Sequence, residues 1–247
     1  GDARTAHTDA PAALDLSAHR DRFADAPETL PRSGVDELQS ALREYCRKRG
    51  FIRGGRLAPL DETYLAAREL LEAVDCFERL RDPTDADREY LLGLLAGADE
   101  GERPPADGVP TALREARGMA AVRAVEAYRS DVLDFLDELE AGAGSGEADG
   151  SDGGEGEEAD DGPAVSVEGE NPEARVGPAR DVLERLRDRV ARVDALGGDV
   201  PPAAADGLVD AADAIGEYVR TGSASALTTA GDLIDDASVD EIGSTEE

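Results

Sequence analysis

The chain has 247 residues, with 57 acidic side chains against 26 basic ones and a formal net charge of −31. That is long enough for one full domain and a small second one. No apolar run approaches the roughly 18 residues of a membrane span, and no signal-peptide core is present, so membrane insertion is not expected.

The acid excess is spread along the chain. It amounts to −11 up to residue 140, −10 over 141–171 and −10 beyond. The bases are almost all arginine, with Lys48 the single lysine. Such a charge repels itself in dilute buffer, whereas in molar salt the Debye length falls to about 3 Å and screens it. The composition resembles that of proteins from salt-in halophiles, the haloarchaea above all, and implies a fold that depends on salt. Cys46 and Cys76 have no framework spacing. They are expected to be reduced, partly buried thiols, which fits a cytoplasmic location. The chain starts at Gly1 rather than Met, which leaves room for a segment before it.

Residues 1–32 read as a mobile arm. Leu14, Leu16 and Phe23 mark a short helix that Pro11, Pro27 and Pro31 interrupt. From Ser33, an expected N-cap, Val35, Leu38, Leu42 and Tyr45 step along one helical face to a stop at Gly50. Gly54-Gly55 then predicts a tight turn in a miniature hairpin. A second helix over 60–81 carries Tyr64, Ala67, Leu71 and Val74 on one stripe and ends at Asp82-Pro83. Thr84 caps a third helix, whose Leu91, Leu92, Leu94 and Leu95 are apolar nearly all round and belong in a core.

After a polar loop, Pro110 opens the longest helix, 110–140. Its Ala121, Val125, Tyr128, Val132, Phe135 and Leu139 form a heptad-like seam, with Gly118 as an expected kink or thin point. Eight of the nine aromatics precede residue 141, so the main core is expected there, in a four-helix-like bundle over 33–140. The stretch 141–171 holds nine glycines and ten acids with no base or aromatic and reads as a disordered acidic linker. Over 172–247 follows a small module. One helix starts at Pro178, a second closes at Gly222, and a third starts at Ser223 or Ser225, with fraying from about Ser238. The fold class is thus all-α: bundle, linker and small three-helix bundle.

One stretch opposes the overall charge. Arg43, Arg47, Lys48, Arg49, Arg53 and Arg56 face only Glu44, with Tyr45 and Phe51 interleaved. These residue types in that pattern suit phosphate or nucleic-acid binding; alternatively they pair with neighbouring acidic helices or with the acidic linker. Asp82, Asp85, Asp87 and Glu89 lack the spacing of a Ca²⁺ loop and read as helix-start acids. Asp131, Asp134, Asp137 and Glu138 read as a solvated face. His7 and His19 both fall in the arm, and no Walker loop, dinucleotide fingerprint, paired CxxC or HExxH is present.

No catalytic residue, cofactor or metal is therefore expected. The sequence points to a non-enzymatic helical interaction protein of a high-salt cytoplasm, acting on a protein partner or by self-association. A nucleic-acid factor docking through Arg43–Arg56 is the alternative, and an enzyme using carboxylates and arginines a third reading.

Overall fold

The computed structural model describes residues 13–24, 32–144 and 172–237. The arm before residue 13, most of the expected linker and the expected frayed end lie outside them. The fold is all-α, with eight helices among the described residues. None of these is long and apolar enough to cross a membrane.

In chain order the helices are α1 Ser17–Ala24, α2 Arg32–Lys48, α3 Glu62–Arg79, α4 Asp85–Gly97, α5 Arg114–Gly144, α6 Val176–Ala195, α7 Pro202–Thr221 and α8 Ala224–Asp236. Between α2 and α3 lies one small hairpin, β1 Ile52–Arg53 with β2 Arg56–Leu57. Ser33 does not cap α2, because the helix already includes Arg32. Pro178 likewise stands inside the first turn of α6 rather than at its opening. Thr84 does cap α4. Its side chain accepts from the Asp87 amide, and Asp87 returns the bond to the Thr84 backbone N–H, so two open donors of the helix end are satisfied at once. Asp61 caps α3 with a single bond, accepting from the Tyr64 amide.

Helix α5 is the axis of the molecule. The seam from Ala121 to Leu139 is buried as its spacing implies, but so are Ala116, Ala120, Val122 and Ala124. The helix is covered on more than one side, by α3 and also by α6 and α7, so a single amphipathic stripe understates its burial. Gly118 is the thin point of the helix. It lies against the α6–α7 turn, where an added Cβ would sit 2.1 Å from the Gly198 carbonyl oxygen. Gly198 itself has φ +80°, a conformation open to glycine at no steric cost. Two glycines thus let a turn of the C-terminal helices press onto α5. The buried apolar side chains of α1 to α5 and of α6 to α8 form one continuous cluster.

Helix α1 joins that cluster through Leu16 and Phe23. Arg20 reaches across to both oxygens of Asp99, at 2.7 and 2.8 Å. In α4, Leu91, Leu94 and Leu95 are buried, but Leu92 is 37% exposed; this helix is covered on one side only, contrary to its all-round apolar pattern. Cys46 and Cys76 are free and buried, and burial pushes the Cys46 thiol up to about 11.

At the centre, five side chains from four helices and a loop form a buried ionic cluster. Glu69 of α3 is fully buried. It accepts from Arg117 of α5 at 3.0 and 3.2 Å, from Arg103 at 3.2 Å and from the Tyr90 hydroxyl of α4. Arg117 also donates twice to Asp206 of α7, at 2.9 and 2.8 Å, and once to the Pro104 carbonyl at 2.9 Å. Burial works against the Arg117 charge, but its bonds to Asp206 and Glu69 prevail and hold its pKa above the ordinary value.

Candidate functional site

The basic stretch runs from the last turns of α2 into the hairpin. Gly54 and Gly55 have φ +56° and +72°, so both central residues of the two-residue turn are left-handed, as a type I′ turn requires. The turn fixes the register, Ile52 opposite Leu57 and Arg53 opposite Arg56. Hairpins this short are not stable alone; this one is held from below.

Phe51, fully buried, stands edge-on to Tyr64 at 5.2 Å and to Tyr128 at 5.0 Å between ring centres. Its amide donates to the Asp131 carboxylate at 2.6 Å. The Tyr128 hydroxyl donates to the Ala58 carbonyl and accepts from Arg220 of α7, each at 3.0 Å. The Leu60 amide donates to Asp213, also of α7, at 3.1 Å. Gly216 of α7 makes room for the phenol, since a Cβ there would fall 1.9 Å from the Tyr128 oxygen. The hairpin base is therefore fixed by α3, α5 and α7 together. Asp131 is not part of a solvated face; Asp134 and Glu138, which are exposed, are.

The six basic residues divide. Arg43 lies 3.7 Å from Asp75, both side chains well exposed. Lys48 pairs with Glu44 at 2.5 Å on the helix surface. Pairs of that kind contribute about 0–1 kcal/mol. Arg49 turns inward, its side chain only 8% exposed, and pairs with Asp61 at the start of α3. The Arg49 Nε is buried without a hydrogen-bond partner. Arg47, Arg53 and Arg56 are exposed, and none has a side-chain hydrogen bond or ion pair to another described residue. Internal pairing thus accounts for Arg43, Lys48 and Arg49 and leaves the other three open.

Half-buried Tyr45 stands close enough to feel the charges of Arg49 and Arg53, yet burial outweighs them and pushes its phenol up to about 12. It stays neutral at ordinary pH. The arrangement can grip an anion through guanidinium forks and a phenol.

Among the described residues no group of three or more His, Cys, Asp or Glu side chains is placed to hold a metal ion. Asp87 serves the α4 cap and Asp85 pairs with Arg88. His19 lies on α1, while His7 is outside the described residues. A small apolar cleft of about 10 Å³, lined by Phe23, Leu38, Leu91, Leu92 and Leu95 among others, has only about the volume of one water molecule.

Sequence reasoning missed the anchors Tyr128, Asp131, Asp213 and Arg220. Their one visible signal is Tyr128, an aromatic with a polar end on an otherwise apolar seam, which when buried needs a hydrogen-bond partner.

No curated protein and no solved structure matches the chain. Over residues 1–149 and 167–234 it matches a family described as a family of unknown function, DUF7117, and it belongs to that family.

Proposed function

We propose that this member of the family is a non-enzymatic helical interaction protein of a high-salt cytoplasm, which holds the end of α2 and the β1–β2 turn out to an acidic macromolecular partner. One observation carries the reading. Arg53 and Arg56 stand directly opposite each other on the hairpin, exposed and with no ion pair to another described residue. Like charges opposed across a strand pair are destabilising. A local rule broken at low structural return marks a functional position.

The helices supply rigidity and the arginines supply contact. Such a protein acts through what it brings together rather than through a bound cofactor. Binding of the full chain to two polyanions of different chemistry, polyglutamate and duplex DNA, tests the reading. Binding to either one that is lost in Arg47→Ala/Arg53→Ala/Arg56→Ala supports it; failure to bind both at every salt concentration rejects it. The high-salt setting has its own measure: dialysis from molar KCl into dilute buffer is expected to lower the helical circular dichroism signal, and a flat signal contradicts it.

A further inference from the structure

We infer that the hairpin tip is a docking point for the phosphate backbone of a duplex nucleic acid, with Arg53 and Arg56 as paired phosphate forks and Arg47 as a third contact. The inference rests on the proposed function and names the partner of that same surface.

Three features of the tip favour phosphates over side-chain carboxylates. Residues directly opposed on an antiparallel ribbon have Cα atoms about 4.5–5.5 Å apart, so two guanidinium groups are offered at close, fixed spacing. A duplex carries one charge per about 1.7 Å of its axis, and both forks meet a phosphate without ordering a flexible chain. An acidic protein segment has to immobilise several rotamer-rich side chains to do the same. Arginine rather than lysine at these positions matches the bidentate geometry of a phosphate.

The second feature is shape. A two-stranded ribbon is one of the two protein elements that the duplex major groove, about 12 Å wide, admits. The third is stiffness. Phe51, Tyr128, Asp131 and Asp213 hold the hairpin base to three helices, so little ordering is left to be done on binding.

Over the range of salt in which the chain is folded, affinity should fall with a log–log slope of about −2.7, three contacts at roughly −0.9 each.

The test is fluorescence anisotropy of a duplex of about 20 base pairs with the full chain from about 0.2 to 2 M KCl. Polyglutamate is run as a second ligand, and circular dichroism read at each salt confines the comparison to folded protein. The expected result is at least tenfold weaker binding in Arg53→Ala/Arg56→Ala and a slope reduced by about 2. Arg185→Ala/Arg187→Ala, which removes the same charge from α6, should bind as the parent does. Duplex binding unchanged by Arg53→Ala/Arg56→Ala overturns the site. Affinity that does not fall as salt rises overturns the phosphate contacts. Binding of polyglutamate but not of the duplex overturns the phosphate assignment and leaves the proposed function standing, whereas binding of neither removes both.

Discussion

Glu69 of α3 and Arg117 of α5 face each other inside the protein, with both carboxylate oxygens within 3.2 Å of one guanidinium nitrogen. The side chains are 0% and 4% exposed. Neither charge has water to fall back on. Glu69→Ala takes from Arg117 one of its two carboxylate partners, with Asp206 remaining, and should cost about 1–3 kcal/mol in urea unfolding. Glu69→Leu/Arg117→Met, which removes both charges at similar volume, should cost much less than the single change.

The hairpin should loosen without the helices when Asp131 is changed. Asp131→Ala leaves the Phe51 amide unsatisfied beneath a buried ring, a loss of about 1–3 kcal/mol. Hydrogen exchange is the discriminating measurement. Amides of residues 51–58 should exchange faster, while those of α8 keep the protection of the parent protein.

Two glycine substitutions should move stability in opposite directions. Gly118→Ala puts a methyl group 2.1 Å from the Gly198 carbonyl oxygen, where both partners are backbone and cannot step aside. It should cost at least the 1–3 kcal/mol typical of overpacking. Gly207→Ala, inside α7 with nothing within 4 Å of the new Cβ, should add about 0.5–1 kcal/mol. Thermal unfolding of the two variants measures both.

Helix α1 should lose part of its hold on the bundle in acid. The two bonds from Arg20 are the main reason the Asp99 carboxyl is held below its ordinary value. Because its folded pKa is lower than its unfolded one, the contribution is complete above the ordinary carboxylate range, about 3.9. It fades as the pH falls through the lowered folded value. Arg20→Ala should abolish this acid step and weaken α1 at neutral pH. An NMR titration of Asp99, with protection of the α1 amides read alongside, checks both.

What the sequence revealed of this protein was mainly local. The four-three spacing from Ala121 to Leu139 sufficed for the core face of α5, the Thr84–Asp87 interval for a helix start, and Gly54-Gly55 for the hairpin turn. The second buried side of α5 was not legible, because apart from Val122 it is built from alanines and Gly118, residue types that signal neither core nor surface. Asp131 and its neighbours share one residue type and one helix, yet only Asp131 meets a buried amide from 80 residues upstream. The partners of Arg117 lie 48 and 89 residues away, and a periodicity argument carries no information at that range. For the basic stretch, residue type showed that something unusual sits there; only the fold showed which three arginines have no partner among the described residues.

The pressing of Gly118 onto Gly198 has a further consequence. That contact, the Arg117–Asp206 pair and the fit of Tyr128 against Gly216 all join residues before 145 to residues after 171. These contacts join the two segments directly, and the peptide connection between them raises their effective concentration. The chain is in this sense a dimer of unlike halves that happen to be translated together. Cut between them, a piece ending at Gly144 and a piece starting at Pro172 would be expected to find each other as separate polypeptides, and the hairpin held by Asp213 and Arg220 would be complete only once they had.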